Sequence, residues 1–496
     1  MSLYYVTLST DIHRLFIVIN LMDLPKLEER SAMKRLYAVL IIAMSLGAGR
    51  AQAGPTRFVA FQNFVETTRE ASFGDYAARP ESRVKDAAAF EEMRRHVLSM
   101  YEGVQVTHSF VLDSDHYDCV PIEQQPSVRL LGLKSIASPP PLTALNREPM
   151  EDVSAADGLI QSATQFGVEN SFDEFGNSTA CEEDTVSLRR VTLEDMTRFP
   201  NLQQFFEKSP NEEDPCGAEP ADHKYSITCQ KVDNLGGNSA LNLWAPVVDT
   251  SGDIFSLSQE WYTGGTGTGF PGGMQTLEVG WVVWPHRFGD SEDARLFIFS
   301  TRDGYRDCGT KDPTVCERRT GCWNSSCGDF VQIGQVALGG GFTNYSVTDG
   351  VQFDFEAEFY IFEKNMWLAI NGVWVGYYPE SLYCSPTACG QLTKHATFME
   401  FGSESYVEGS NATTVWPKEG SGEFSKGGFR KAAYQRDLYY LTNTSGGFLW
   451  DSLPHTQELS PHCYTITGPT FGTDPGWEVY FYEGGPGGSN CGSGGP

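Results

Sequence analysis

Two glutamates stand where a carboxylate is costly unless it is used. The run Thr276-Leu277-Glu278-Val279-Gly280-Trp281-Val282-Val283-Trp284 reads as a β-strand. Alternate residues of a strand share a face, so Glu278 points with Thr276, Gly280 and Val282, and Leu277, Val279, Trp281 and Val283 point the other way. A carboxylate in so apolar a strand must be hydrogen-bonded or put to work. In the second run, His395-Ala396-Thr397-Phe398-Met399-Glu400-Phe401-Gly402-Ser403-Glu404, the last glutamate shares its face with Phe398, Glu400 and Gly402. In both strands a glycine lies two residues from the carboxylate on its own face. Two such strands set together would hold two carboxylates over a floor without side chains, with space for a water and a peptide carbonyl.

Paired carboxylates suit acid–base work because both cannot ionise cheaply: one pKa rises and the other stays low. The ionised member can take a proton from water while the protonated member donates to a carbonyl oxygen. The two apparent pKa values then belong to the pair, and the singly protonated form dominates in acid. Other chemistries have weaker sequence support. No Gly-x-Ser-x-Gly elbow sits between a strand and a helix. His223, His286, His395 and His455 are scattered and form no His-x-x-x-His pair. The spacing of the cysteines and histidines completes no zinc ligand set, and no metal or cofactor is expected.

The elements that must carry these glutamates are strands. From about residue 222 onward, short apolar or alternating runs recur between Gly, Asn, Asp and Pro, which argues for a β-sandwich or barrel. The Gly-rich stretch 264–273 falls between two such runs and opens no helix, so it reads as a mobile hairpin loop or substrate flap. Upstream, residues 54–135 read as a small mixed unit. Residues 88–101 form an amphipathic helix with Phe90, Met93, Val97 and Met100 at helical spacing, and 104–112 form a strand ending in the turn Asp113-Ser114-Asp115. Residues 136–221 read as an acidic, Pro-rich and partly flexible connector that is interrupted by Ser138-Pro139-Pro140-Pro141, with one helix over 193–208.

The chain has 496 residues and a formal net charge of −28, with 64 acidic against 36 basic side chains. So acidic a surface repels phosphate backbones, and nucleic acid is not an expected partner. The twelve cysteines include the short local pairs Cys308/Cys316, Cys322/Cys327 and Cys384/Cys389, with Cys463/Cys491 near the end; an even count in loop-like contexts points to disulfides and an oxidising compartment. Met33-Lys34-Arg35, an apolar run over 36–46 and Ala51-Gln52-Ala53 form a signal-peptide layout over Met33–Ala53, with cleavage expected after Ala53. The apolar run is short for a stable membrane anchor. A secreted protein, extracellular or periplasmic, is expected.

The same segments resemble the neprosin family of secreted glutamic peptidases. The resemblance runs through most of 222–491. It is carried by Ser256-Leu257-Ser258-Gln259-Glu260-Trp261, Leu277-Glu278-Val279-Gly280-Trp281, Gly321-Cys322-Trp323-Asn324-Ser325-Ser326-Cys327, Phe401-Gly402-Ser403-Glu404, and Cys463-Tyr464 with Gly484-Gly485-Pro486 before Cys491. It implies an all-β catalytic domain, an antiparallel double-sheet β-sandwich over 222–496, preceded by a smaller α+β pro-segment over 54–135 and a connector over 136–221. It implies a Glu278–Glu404 dyad, disulfides Cys322–Cys327 and Cys463–Cys491, an activation segment removed in acid, and cleavage after proline. Expected substrate-binding residues are Gln259, Trp261, Gly280, Trp281, Tyr305 and Gly402. Expected partners are peptide or protein substrates rich in proline, acting on a monomer. The second motif reads Gly-Ser-Glu where Gly-Gly-Glu is usual, and the pairs Cys308/Cys316 and Cys384/Cys389 suggest inserted, stapled loops. Two other readings stay open on the residues alone: a two-carboxylate glycoside hydrolase with Trp261, Trp281 and Tyr305 stacking on sugar rings, and a non-catalytic secreted binding module.

Overall fold

The computed structural model describes residues 9–10, 13–14, 57–141, 159–163, 165, 171–208, 221–266, 271–289, 291–302, 304, 321–411, 413–442, 447–449, 455–458, 460–474, 476–489 and 491. Its contacts divide the chain into Met1–Arg57 and Phe58–Pro496. In the first unit Ser9–Thr10 pairs antiparallel with His13–Arg14. The expected signal sequence lies outside the described residues, as do Tyr305, Cys308 and Cys316. Among the described residues no helix is long and apolar enough to cross a membrane.

The second unit begins with α1 (Phe61–Glu70) and α2 (Ala87–Tyr101). Asp86 caps α2 by accepting from the Ala89 amide, and the helix buries Phe90, Met93, Val97 and Met100, the stripe that the sequence spacing predicts. A hairpin follows, β1 (His108–Leu112) and β2 (Asp115–Pro121). Its turn residues Asp113 and Ser114 take φ of 47° and 67°, the left-handed values that a two-residue hairpin turn demands. The expected strand over 104–112 thus starts four residues late.

The connector is partly built into the fold. β3 (Ile160–Ser162) adds in parallel to a strand of the sandwich, and β4 (Thr185–Arg189) completes a three-stranded sheet with β1 and β2. Cys119 and Cys181 form a disulfide that ties the hairpin to this region. In place of one helix over 193–208 there are two, α3 (Leu193–Thr197) and α4 (Leu202–Phe206). Pro200 lies between them, where its missing N–H and its restriction of Phe199 break the helix. Thr192 and Asn201 cap the two starts.

Most of the remaining strands form two antiparallel sheets packed face to face, with the short strands Gly447–Leu449 and Thr470–Phe471 pairing at the side of the second. They are β5 (His223–Gln230), β6 (Gly236–Asn242), β7 (Ile254–Gly264), β8 (Gln275–Val283), β9 (Arg295–Thr301), β10 (Gly321–Trp323), β11 (Val331–Gln332), β12 (Gln352–Phe362), β13 (Asn365–Ile370), β14 (Val373–Tyr378), β15 (Phe398–Val407), β16 (Ala433–Leu441), β17 (His455–Glu458), β18 (Thr465–Ile466) and β19 (Val479–Gly484). One sheet runs β10-β9-β8-β7-β15-β5-β17, and the main path of the other runs β11-β14-β13-β12-β6-β16-β19-β18. Leu277, Val279, Trp281, Ile298 and Phe401 from the first sheet meet Leu241, Phe355, Phe359, Leu368 and Phe481 from the second in one core. The fold is therefore the expected antiparallel β-sandwich with a small α+β region before it. The disulfides Cys322–Cys327, Cys384–Cys389 and Cys463–Cys491 staple loops and the C-terminal end.

Polar groups in the inter-sheet core are chained by hydrogen bonds. Glu483 Oε1 accepts from Ser258 Oγ at 2.7 Å, Ser258 Oγ accepts from Gln435 Nε2, and Gln435 Oε1 accepts from Ser239 Oγ. Ser239 Oγ also reaches Glu260 Oε1 at 2.8 Å, and Tyr262 donates to Glu260 Oε2. Burial pushes Glu483 up to about 8 and Glu260 well above the usual carboxylate range.

Candidate active site

The outer face of the seven-stranded sheet is the face of Glu278 and Glu404. β7 lies between β8 and β15, and Gln259 at its centre is flanked by Gly280 on one neighbour and Gly402 on the other. Both glycines are needed. A Cβ on Gly280 would collide with the Ser258 carbonyl, and one on Gly402 with that of Ser226; Gly402 also takes φ of 144°. Glu278 sits opposite Trp261 and Glu404 opposite Leu257, so the two carboxylates approach Gln259 from opposite ends across the glycine floor.

They meet at the ammonium of Lys208, which follows α4. Lys208 Nζ binds Glu278 Oε2, lies 3.0 Å from Glu404 Oε2, and donates to Gln259 Oε1 at 2.7 Å. Both carboxylates reach one nitrogen at hydrogen-bond distance, so they stand within about 6 Å of each other. Gln259 Nε2 donates to Glu404 Oε2 at 3.0 Å, and Thr276 Oγ1 donates to Glu278 Oε1 at 3.2 Å. His223 Nδ1 lies 2.7 Å from Glu404 Oε1; to donate there it must carry the proton. Glu278, Glu404, Gln259, His223 and Lys208 are all buried.

The charges set one another. Burial by itself would raise Glu404, but the Lys208 ammonium and His223 bring its carboxyl down to about 2. Burial would lower Lys208, and the two carboxylates hold it far above the usual lysine range.

Aromatic side chains wall the cleft, and the segment that carries Lys208 lies against them. Trp261 and Phe297 approach Nζ with ring centroids at 5.4 and 5.8 Å. Trp323 Nε1 donates to the Glu207 carbonyl at 3.0 Å, and Arg287 Nη1 donates to the Phe205 carbonyl at 2.7 Å. Phe199, Phe205 and Phe206 pack into the same apolar cluster as Phe255, Trp284 and Trp323. A cavity of about 170 Å³ remains beside Lys208, between Phe199, Trp284 and Tyr406.

Of the residues expected from sequence, Glu278, Glu404, Gln259, Trp261, Gly280 and Gly402 come together here. Trp281 does not. It lies on the opposite face of β8, wholly buried between the sheets, with Nε1 donating to the Asn242 carbonyl at 3.0 Å. This corrects its assignment to substrate binding and follows from the same alternation that turns Glu278 outward. Lys208 and His223 were missed. His223 stood among the scattered histidines, and no local spacing marks Lys208.

Two buried carboxylates meeting in an aromatic cleft of an antiparallel sandwich are an arrangement that can do acid–base chemistry. Residues 252–486 match the Neprosin family model, and both glutamates lie within the match. Over those residues the chain is a match to the neprosin family, which is a family of peptidases.

Proposed function

We propose that the chain is a secreted glutamic endopeptidase, active in acid and cutting after proline, with Glu278 and Glu404 as its dyad and a zymogen state closed by Lys208. The observation that carries this reading is the convergence of both carboxylates and Gln259 on a single ammonium nitrogen in a walled cleft. That nitrogen occupies the position in which a water would donate to the same oxygens.

With the 205–208 segment withdrawn, a water takes the place of Nζ against Gln259 and the two carboxylates. His223 and Gln259 donate to Glu404 and favour its ionised form, so Glu404 is the base and Glu278 carries the shared proton. As water attacks the peptide carbonyl carbon, Glu404 takes its proton and Glu278 donates to the carbonyl oxygen. The gem-diol intermediate collapses as Glu404 passes its proton to the leaving nitrogen and one hydroxyl returns a proton to Glu278, so that the C–N bond breaks to an amine and a carboxylic acid. With Lys208 in place, no water or peptide carbonyl can enter between the carboxylates.

Acid opens this lock. Because the Lys208 ammonium lowers Glu404 in the closed form, its contribution to closure is lost as pH falls toward about 2. Proline preference and export rest on the resemblance, the disulfides and the signal layout. The test is to incubate the purified chain with a peptide mixture at acid and at neutral pH and to follow both by mass spectrometry. The reading expects loss of the segment bearing Lys208 and new peptide ends after proline, in acid only. New peptide ends at neutral pH from the intact chain, or none at either pH, would overturn it.

A further inference from the structure

A second recognition surface lies on the opposite outer face of the sandwich. Alternation along β13, and a register shift in its pairing with β14 that leaves Val375 unpaired, put Met366, Leu368 and Val375 inward and Trp367, Ala369, Trp374 and Tyr377 outward, where they form a separate apolar cluster. Trp367 packs edge-on to Trp374, with centroids 5.9 Å apart, and lies 4.5 Å from Tyr377.

The chain's own Ser138-Pro139-Pro140-Pro141 segment is seated on these rings. Pro140 is buried and Ala137 half-buried, while Ser138, Pro139 and Pro141 are exposed. The two contacting residues are three apart, which is one turn of a polyproline II helix and puts them on one face. Trp374 Nε1 donates to the Pro140 carbonyl at 3.1 Å, and the Ala137 amide donates to Tyr377 Oη at 2.9 Å. Aromatic walls with an indole donor aimed at a proline carbonyl are the means by which proline-rich segments are recognised. The indole N–H of Trp367 is buried and has no hydrogen-bond partner among the described residues, which leaves a second donor in the groove.

We propose that this groove is a binding site for proline-rich polypeptide in polyproline II form, filled in cis by residues 137–141 and vacated when that segment leaves. Its use as a tether for substrates rests on the peptidase reading; the binding itself does not.

The test is a binding measurement on the full-length chain with Glu278→Gln, so that no turnover enters. The probe is a fluorescein-labelled Ile-Ala-Ser-Pro-Pro-Pro peptide followed by anisotropy. Pro139→Ser, Pro140→Ser and Pro141→Ser together empty the groove and should raise affinity at least about tenfold over the chain with its own prolines. Trp374→Phe, which keeps a six-membered ring but removes the indole N–H and the ring that carries it, should then cost about tenfold. In the chain with its own prolines, excess unlabelled peptide should speed hydrogen exchange at the Ala137 amide. Equal binding of a peptide with alanine in place of proline would overturn the proposal, as would affinity unchanged by Trp374→Phe, or absence of binding to the emptied groove together with unaltered exchange at Ala137.

Discussion

Replacing Lys208 by Met would leave two carboxylates facing each other in a buried cleft with their cation gone. Breaking a buried ion pair from one side costs about 3–5 kcal/mol, because the remaining charge is uncompensated. The pair would relieve this by sharing a proton, and the 205–208 segment would lose its anchor. Lys208→Met is therefore expected to cleave peptide without prior processing and at a higher pH than the parent, as read by peptide turnover in the unprocessed chain. A variant as latent as the parent would show that the aromatic packing of Phe205 and Phe206 closes the cleft unaided. The shared face of Glu278 and Glu404 was legible in the sequence because a strand's period of two and a glycine on the same face mark each locally, whereas Gln259 came only from the family resemblance. Lys208 was not, since its role exists only once a segment without strand or helix period crosses the sheet. Trp281 was misassigned although the face of its strand was already readable.

At the scale of elements, the hairpin of β1 and β2 is pinned to the sandwich by buried charge. Arg295 on β9 binds Asp115, reaches Asp113 at 2.6 Å, and shares Asp115 with Arg189 on β4, 2.6 Å away. Burial would raise Asp115, and the two guanidiniums hold it below the usual carboxylate range. Asp115→Asn leaves both arginines short of an anion, so on the proposed zymogen reading the region bearing the hairpin should detach sooner. Acid processing followed by gel over time should run several-fold faster than in the parent; an unchanged time course would place the hold elsewhere. The turn at Asp113-Ser114 was readable because only a few residue types accept its dihedrals. The division into α3 and α4 was signalled by Pro200, yet the amphipathic run on either side of it favoured one helix. The docking of a Pro-rich run onto a sheet face left no local signal at all.

At the scale of the whole molecule, two buried carboxyls make stability depend on pH. Burial raises Glu483 to about 8 and Glu260 well above the usual carboxylate range in the folded core, whereas in the unfolded chain each titrates near about 4.5. Glu483 therefore contributes stability that is complete below about pH 4.5 and is lost as pH rises through about 8, and Glu260 acts in the same direction. The melting temperature should fall by several °C between pH about 5 and about 8. Glu483→Gln, an uncharged group of similar shape, should flatten much of that fall. A profile as steep in the variant would remove Glu483 as its source. The sandwich itself was legible from recurring short runs and turn residues, but its polar inter-sheet core was not, because the serines and glutamates that build it alternate as an exposed face would.

Single-turnover cleavage by acid-processed protein, compared among the parent, Glu278→Gln, Glu404→Gln and the double variant, tests the central claim most directly. To separate catalysis from self-processing, each variant is processed by added parent enzyme that is then removed. Two groups that share one proton act as a unit, so each single change should cost at least about a hundredfold and the double change little more. A single variant that keeps a rate within about tenfold of the parent, or losses that simply multiply, would contradict the dyad.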